Sequence, residues 1–502
     1  MLKFNRTCDE RIAQVRLNRK GGTMRHDIED FIEEYLAEMI EGNAAIFAGA
    51  GLSMPAGFVD WRKLIAPLMR ELQLDVTLEN DLVAAAQFHV NANGKNRHRL
   101  HQAVIVALSP EKPPTRNHQL LARLPIKTWW TTNYDKLIEN ALRDAGRIVD
   151  VKSATQQLAV TRPGRDATLY KMHGDVDRPD EAVATKDDYE KYELARGAFT
   201  SALAGDLVEK TFLFLGFSFT DPNLEHVLTR VRLTFKENQR RHFAVFKSRS
   251  KINGETDEAF NHHRIRQALV IEDLKRFNIR VLLVDEYSEI TEILEELKRR
   301  YNRRTIFVSG SAADFAPWGE QAVLSFCRAL GGALVSKGSR VATGIGSGIG
   351  DGVLSGALAE LLDSRRKVDD GLILRPFPQS FEDEDQRRQV WESYRREILS
   401  HCGIAIFLFG NKREGDQLGD AEGVLREFDI ASDTDVVTIP IGATGAAAAN
   451  LAARILNDPE RFKGILSITD VESLRSLSEH VENLNELIEP ILALVQKIQS
   501  GR

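Results

Sequence analysis

The sequence contains very little cysteine. Only Cys8, Cys327 and Cys402 occur among 502 residues, and no two of them are close enough in sequence to form a Cys-x-x-Cys pair. A thiolate zinc site needs clustered cysteines, and disulfide-stabilised domains belong to oxidising compartments. We therefore expect a cytoplasmic protein that binds no metal ion.

The sequence also lacks long apolar runs and a strong net charge. No uninterrupted apolar stretch approaches about 18 residues, so we predict neither a membrane span nor a secretory leader. A formal net charge of −6 argues against bulk binding to nucleic acid or membranes, but it is compatible with a local basic site for phosphate. We expect neither nucleic acid nor membrane among its partners.

The length and the apolar pattern predict two globular domains. Residues 1–24 are polar and basic, and we interpret them as a tail, with a short packed helix as the alternative. Strands and helices then alternate over 25–286, a charged helix over 287–303 forms a linker, and a second series fills 304–502. The predicted strands lie at 44–48, 127–130, 168–170, 211–215, 242–246 and 280–284, and then at 306–308, 341–343, 372–374, 404–409 and 436–440. Continuous apolar strands between helices indicate parallel sheets covered on both faces. The predicted fold is thus α/β, with two Rossmann-like parallel-sheet domains in tandem and a helical C-terminal segment.

The C-terminal segment carries apolar residues alternately three and four positions apart. These residues are Leu474, Leu477, Val481, Leu484, Ile488, Ile491, Val495 and Ile498. The spacing is that of a heptad seam, although Pro490 would interrupt its hydrogen bonding. We favour one or two amphipathic helices packed on their own domain over a coiled coil.

Four short motifs occur in a fixed order in the first half. They are Gly49-Ala50-Gly51-Leu52-Ser53, Thr131-Thr132-Asn133-Tyr134-Asp135, His173-Gly174 and Gly216-Phe217-Ser218. The first follows a buried apolar strand, where glycines let the backbone approach a ligand and let N–H groups point at phosphate. Any one of them also fits a plain turn, but four in order indicate a ligand site at the carboxyl ends of strands.

Together these motifs resemble the sirtuin family of NAD-consuming enzymes. The match includes Gly57-Phe58-Val59-Asp60-Trp61-Arg62, which resembles the family's G-I-P-D-F-R with Trp61 in place of Phe, and it covers roughly residues 30–285. Deacylating sirtuins carry a four-cysteine zinc module after the catalytic histidine, whereas residues 174–205 contain no cysteine here. The resemblance therefore implies an NAD-binding part and leaves a deacylase substrate site in doubt.

The resemblance implies roles for individual residues. Asn133 would hydrogen-bond a ribose hydroxyl or orient water, and His173 would act as general base. The remaining candidates would bind NAD+, which is the substrate; they are Gly49, Ala50, Gly51, Ser53, Asp60, Trp61, Asp135, Gly216 and Ser218.

Several of these residues also have ordinary structural explanations. Asp135 fits a helix N-cap as well as a ribose contact. Trp129 and Trp130 fit the core better than a site. Asp221-Pro222-Asn223 fits a turn and a cap better than a catalytic group.

The second half resembles the SLOG superfamily of nucleotide-ligand sensors over roughly residues 304–460. The resemblance rests on the strand before Ser309-Gly310-Ser311, the glycine-rich loop 344–350, Gly410-Asn411-Lys412 and Glu422. The implied ligand-binding residues are Ser309, Gly310, Gly344, Gly346, Ser347, Gly348, Arg375, Lys412 and Glu422. Arginine and lysine suit phosphate, although Arg375 and Glu422 also fit a structural ion pair.

A sirtuin-like domain followed by SLOG resembles the ThsA-like effectors of Thoeris anti-phage defence. This resemblance implies an NAD+ hydrolase activated by a cyclic ADP-ribose isomer that a TIR-domain protein makes. It also implies a homo-oligomer, with a tetramer as one form. Two alternatives stay open: a sirtuin-type deacylase or ADP-ribosyltransferase, and a non-catalytic NAD or ADP-ribose sensor.

Overall fold

The computed structural model describes residues 25–108, 110–344, 348–374, 377, 383–434, 436–462 and 468–500. The predicted tail, 1–24, lies outside the described residues. The chain forms two compact units, of which the first ends at Lys298 and the second begins at Arg299. In the described part of the chain, no helix has both the length and the apolar character needed to span a membrane.

A seven-stranded, wholly parallel sheet forms the centre of the first unit. Its strands are β1 Ala44–Ala48, β2 Thr128–Thr131, β3 Val149–Lys152, β4 Ala167–Lys171, β5 Thr211–Leu215, β6 His242–Lys247 and β7 Ile279–Val284. The spatial order is β3-β4-β2-β1-β5-β6-β7, so the chain changes direction across the sheet between β1 and β5. Six of the seven strands were predicted; β3 was missed because its V-D-V-K sequence is not a continuous apolar run.

Helices cover this sheet and build a lobe beside it. They are α1 His26–Glu41, α2 Ala50–Ser53, α3 Trp61–Glu71, α4 Leu82–Ala92, α5 His98–Leu108, α6 Arg116–Ala122, α7 Leu137–Asp144, α8 Thr155–Leu158, α9 Lys186–Glu190, α10 Tyr192–Glu209, α11 Pro222–Phe235, α12 Asp257–Leu274 and α13 Ser288–Arg303. Helix α1 ends at Gly42, which adopts φ 77°, as the sequence predicts for a C-cap glycine.

Two apolar clusters of described residues stabilise the first unit. One lies against the sheet and includes Phe47, Trp130 and Phe199, all fully buried. Trp129 is 2% exposed, so the prediction that the tryptophan pair belongs to the core is confirmed. The second cluster joins helices α3, α4 and α5 and includes Tyr134 from the loop after β2. The lobe is therefore packed directly onto one of the motif loops.

The second unit is built on a five-stranded parallel sheet and a separate hairpin. Its strands are β8 Thr305–Ser311, β9 Arg340–Thr343, β10 Leu372–Leu374, β11 Ile404–Phe409, β12 Asn411–Glu414, β13 Gln417–Asp420 and β14 Val437–Pro440. The sheet order is β10-β9-β8-β11-β14, and β12 pairs with β13 as an antiparallel hairpin that the sequence patterns did not predict. The helices are α14 Glu320–Ser336, α15 Ile349–Asp363, α16 Val368–Gly371, α17 Glu384–Ser400, α18 Glu422–Ser432, α19 Ala446–Asn457, α20 Ile468–Ser476 and α21 Ile488–Ser500.

The C-terminal heptad residues pack on their own domain. Leu474, Leu484 and Val495 are buried in the core of the second unit. Leu474 lies in α20 and the residues from Ile488 onward lie in α21, whereas Leu477, Val481 and Leu484 lie between the two helices. The segment packs on its own domain, so the favoured interpretation is confirmed. Pro490 lies in the first turn of α21, where a proline breaks no helical hydrogen bond.

Helices α14 and α15 approach each other closely enough for their backbones to touch. A Cβ added to Gly331 would lie 2.1 Å from the carbonyl oxygen of Val353, and one added to Gly356 would lie 1.7 Å from that of Arg328. Only glycine permits this approach, because any Cβ would overlap a backbone atom of the facing helix.

We predict that Gly356→Ala destabilises the protein by about 1–3 kcal/mol or more, because the backbones must separate to admit a methyl group. Urea unfolding followed by circular dichroism measures this effect. Gly205→Ala is the matched control: this glycine lies within α10 with no heavy atom within 4 Å of the added Cβ, and alanine should be neutral or stabilising there. Equal stability of the two variants would contradict the prediction.

Candidate functional site

The four motifs of the first half lie at one edge of the sheet. They follow β1, β2, β4 and β5, whose carboxyl ends all face the same edge because the strands are parallel. This edge includes the point between β1 and β5 where the strand order reverses, which is where open α/β sheets bind ligands.

The glycines of the first and last motifs interlock. The N–H of Gly49 donates to the carbonyl of Leu215 and that of Gly51 to the carbonyl of Gly216, both at 2.9 Å. A Cβ on Gly49 would lie 2.4 Å from the Gly216 oxygen, and one on Gly216, which has φ +64°, would lie 2.2 Å from the Leu52 nitrogen. Two of the N–H groups expected to face phosphate are therefore used between loops, and the glycines are needed for close approach.

Asn133 is attached to this interlocked pair. Its side chain is buried, and its Nδ2 donates to the carbonyl of Gly49 and to Oγ of Ser53, both at 3.0 Å. A backbone carbonyl only accepts, so this contact fixes which end of the amide is nitrogen. With both Nδ2 hydrogens used, Oδ1 is the atom of this side chain left to interact with a ligand, as an acceptor.

A fully buried ammonium group joins the loop after β2 to the loop after β4. Lys171 Nζ donates to the carbonyls of Tyr134 at 3.0 Å and Asp135 at 2.7 Å. It also contacts the carboxylates of Glu139 at 2.9 Å and Asp175 at 2.7 Å. Burial opposes the charge, but the two carboxylates more than offset it, and the pKa of Lys171 is raised.

His173 follows β4 and is 5% exposed. Its Nε2 lies 3.2 Å from Oδ2 of Asp221, outside the alignment of a hydrogen bond. The rings of Tyr189 and Tyr192 stand edge-on to the imidazole at centroid distances of 5.6 and 6.2 Å. Burial lowers the pKa of His173, Asp221 raises it, and the guanidinium of Arg196 lowers it further. A buried imidazole with a lowered pKa is neutral near pH 7 and can accept a proton.

The other predicted NAD-binding residues have structural contacts of their own. Asp60 caps α3 by accepting from the Lys63 N–H at 2.8 Å. Asp135 accepts from the Leu137 N–H at 3.0 Å, but the N-cap of α7 is Lys136, so Asp135 lies one residue before the cap position. Ser218 is exposed and bonds the Thr220 hydroxyl at 2.8 Å.

Trp61 and Ala50 lie at the rim of the same region. The Trp61 ring is 6.3 Å from that of Tyr134, and its buried Nε1 has no hydrogen-bond partner among the described residues. A ligand acceptor would satisfy this N–H. Ala50 is the exposed first residue of α2, beside the interlocked glycines.

In the second unit, a buried carboxylate lies next to the Ser309 motif. Oγ of Ser309 donates to Oε2 of Glu427 at 2.6 Å, and Arg395 Nε contacts the other carboxylate oxygen at 3.3 Å. Burial raises the pKa of Glu427, although Ser309 and Arg395 act against it. The guanidinium of Arg395 also lies 5.1 Å from the ring centroid of Phe377.

The structure describes some, but not all, of the remaining predicted ligand residues of the second unit. Gly310 and Gly344 allow close contacts, since an added Cβ would lie 2.6 Å from the Leu408 oxygen and 2.4 Å from the Phe377 ring, respectively. Gly348 precedes α15 with φ +79°; Lys412 lies exposed in β12, and Glu422 lies exposed at the start of α18. Gly346, Ser347 and Arg375 lie outside the described residues, and with them the Arg375–Glu422 ion pair. Among the described residues, no group of three or more His, Cys, Asp or Glu side chains is placed to hold a metal ion.

Sequence reasoning missed Glu427. Its signal was present: Val424, Glu427, Phe428 and Ala431 form one helical stripe whose other members are apolar, so a carboxylate at this position must be buried with a partner. The exposed Glu422 was chosen instead. The closeness of Asp221 to His173 had no such signal, because β4 and β5 are separated by two strands.

Comparison with protein families agrees with the two-unit division of the chain. A SIR2-like domain matches residues 127–268, and the Sir2- and TIR-associating SLOG family matches residues 289–498.

Relatives named NAD(+) hydrolase ThsA match nearly the whole chain. It is 42% identical to NAD(+) hydrolase ThsA of Acinetobacter baumannii over 94% of this chain and 99% of the relative. It is 43% identical to NAD(+) hydrolase ThsA of Bacillus cereus over 93% and 98%. Defense-associated sirtuin 2 of Bacillus subtilis is 24% identical over 54% of this chain and 27% of the relative.

Lys171 is the cation that pairs with the buried carboxylates of Glu139 and Asp175. Lys171→Met should destabilise the first unit by about 3–5 kcal/mol at pH 7, because it leaves Glu139 and Asp175 without their cation. Burial already raises the pKa of Glu139. A carboxyl whose pKa is raised by folding favours the folded state at low pH and loses that contribution as pH rises through its folded pKa, so the deficit should shrink on acidification.

Urea unfolding at pH 7 and pH 5 measures both effects. Lys136→Met is the matched control, because Lys136 forms an exposed ion pair with Asp177 worth at most about 1 kcal/mol. A Lys171→Met variant no less stable than Lys136→Met would contradict the prediction.

Proposed function

Because this chain belongs to the ThsA family of NAD(+) hydrolases, we propose that it hydrolyses NAD+ at the carboxyl edge of the first sheet, and that a cyclic ADP-ribose-type nucleotide bound by the second unit activates it. The enzyme is an NAD+ hydrolase with a SIR2-like part and a SLOG part. The observation that most directly supports the proposed mechanism is the buried position of His173 on a loop that Lys171 joins to the loop of Asn133.

The reaction breaks the bond between the ribose C1′ and the nicotinamide nitrogen. The bonding electrons leave with nicotinamide, and water adds to C1′ and gives up a proton, so the products are nicotinamide and ADP-ribose. Nicotinamide leaves as a neutral group and needs little acid assistance. The protein must therefore orient the nucleotide, favour an oxocarbenium-like transition state and accept the proton.

The chain's own groups suit these tasks. Oδ1 of Asn133 is an acceptor held by two bonds from its own amide nitrogen, so it can receive a hydrogen bond from a ribose hydroxyl or water without reorienting. His173 takes the proton. The unpartnered Nε1–H of Trp61 offers a donor to the ligand.

The proposed activator site lies at the edge of the second sheet where its strand order reverses. The loops after β8 and β11 meet there: Asn411 Oδ1 accepts from the N–H groups of Ala313 at 2.7 Å and Asp314 at 2.9 Å. Glu427 can accept a hydroxyl hydrogen bond, and Arg395 can pair with phosphate while lying near Phe377. We add Glu427 and Arg395 to the ligand-binding residues that the sequence suggested. Those earlier candidates, which include Ser309, Gly310, Lys412 and Glu422, remain predictions.

We infer the biological role from the family. We propose that the activator is made by a TIR-domain protein, in agreement with the Sir2- and TIR-associating description of the matched SLOG family. NAD+ depletion in the cytoplasm would then halt an infected cell. We further propose a homo-oligomer, with a tetramer as the form to test by light scattering.

The catalytic assignment predicts the effect of two substitutions. Asn133→Ala and His173→Ala should each lower NAD+ cleavage at least about a hundredfold, because general acid–base and orienting groups contribute about 10² to 10⁴. Nicotinamide release is measured by chromatography, with and without cyclic ADP-ribose isomers. His98→Ala, an exposed histidine on α5, should act as wild type. Near-normal turnover in His173→Ala would overturn the mechanism.

The activator assignment predicts a shift in ligand requirement. Arg395→Ala and Glu427→Gln should each raise the concentration of cyclic ADP-ribose isomer needed for half-maximal activation about 10- to 150-fold, because each removes a charge-assisted bond. Maximal activity at saturation should stay near that of wild type, since coupling acts through ligand affinity. Arg396→Ala, which removes only a surface pair with Glu392, is the control. Wild-type activation in both test variants would place the ligand elsewhere.

A further inference from the structure

The two carboxylate oxygens of Asp221 contact different groups. Oδ1 accepts from the Leu224 N–H at 3.0 Å and caps α11, as the sequence predicted. Oδ2 accepts from the Tyr189 hydroxyl at 3.1 Å and lies 3.2 Å from Nε2 of His173. A residue needed only as a cap would not require this second set of contacts.

The groups around His173 determine how strongly a carboxylate at position 221 affects the protonation of the imidazole. The charged and titratable groups that face the imidazole are Asp221 at the start of α11, Tyr189 on α9, and Tyr192 and Arg196 on α10. Burial and Arg196 both disfavour the imidazolium, whereas Asp221 favours it. Burial and then the charge of Asp221 raise the pKa of Tyr189 far above its ordinary value, so this hydroxyl keeps its proton and remains a donor.

We propose that Asp221, held by Tyr189 and by the start of α11, is the positioning residue that orients His173 and stabilises its protonated form during NAD+ cleavage. The inference rests on the proposed function of His173 as the general base. In this structure Nε2 lies 3.2 Å from Oδ2 of Asp221 without hydrogen-bond alignment, and such contacts often align only when substrate is bound. Once Nε2–H donates to Asp221, Nδ1 is the basic nitrogen, so this one contact would set both the tautomer and the ring orientation. When Nδ1 receives the proton, the adjacent carboxylate offsets the buried positive charge.

The test uses the full chain, with cyclic ADP-ribose isomers present, and follows kcat, KM and the pH dependence of kcat. Asp221→Asn keeps an N-cap acceptor, since asparagine caps helices as well as aspartate does, but removes the charge. We expect kcat to fall about tenfold or more, with KM within about twofold. The acidic limb of the kcat profile should move to lower pH, because the carboxylate that raises the pKa of His173 is lost.

Tyr189→Phe provides a second, opposite readout. It keeps the ring beside His173 but frees Oδ2 of Asp221 from a competing donor, so the acidic limb should move to higher pH. Opposite shifts in the two variants are not expected of residues that act only on stability. A shift in the same direction in both would indicate a loosened pocket and overturn the proposal.

Asp81→Asn is the matched control, because Asp81 caps α4 by accepting from the Ala84 N–H at 2.9 Å and is exposed. It should leave kcat and the pH profile unchanged. His173→Ala is assayed in parallel. If His173→Ala is inactive while Asp221→Asn behaves as wild type in kcat and pH profile, this inference fails and the proposed function stands. If His173→Ala retains near-normal turnover, the proposed role of His173 fails as well.

Discussion

The geometry of the candidate active site depends on one buried ammonium group. Lys171 ends the strand β4, and its Nζ contacts the backbone after β2 and a carboxylate after β4. Removing an ion from water costs several kcal/mol, and here two carboxylates and two carbonyl dipoles offset that cost. These contacts fix the loop of Asn133 relative to the loop of His173. Asn133 in turn holds the glycine loop after β1, and that loop is interlocked with Gly216 after β5.

Most of the fold could be predicted because its signals are local. A continuous apolar strand such as 211–215 followed by glycine is recognisable without knowing its neighbours, and the parallel arrangement follows from the intervening helices. The strand Val149–Lys152 was missed because alternating polar residues do not distinguish it from a loop. The hairpin of β12 and β13 was missed because its strands are short and polar.

The site was predictable only as far as its motifs extend. Asn133 and His173 were found because each belongs to a short sequence pattern, and the structure adds how they are held. Asp221 was recognised as a cap, but its second contact depends on loops after strands that are not neighbours in the sheet. Lys171 is an isolated lysine at the end of an apolar strand, and nothing in the sequence distinguishes it from an exposed one. Contacts between distant loops are set by tertiary packing, which local patterns do not encode.

The interlocked glycines have an evolutionary consequence. Gly49, Gly51 and Gly216 leave no space for a Cβ at any of the three positions, and each excludes a side chain because of the backbone of another. A single substitution at one position cannot be accommodated by shrinking a neighbour, since glycine is already the smallest residue. A lineage could leave this state only by moving both loops at once, which would also displace Asn133. Across relatives that retain the reaction, we therefore expect these three positions either to remain glycine or to be substituted together.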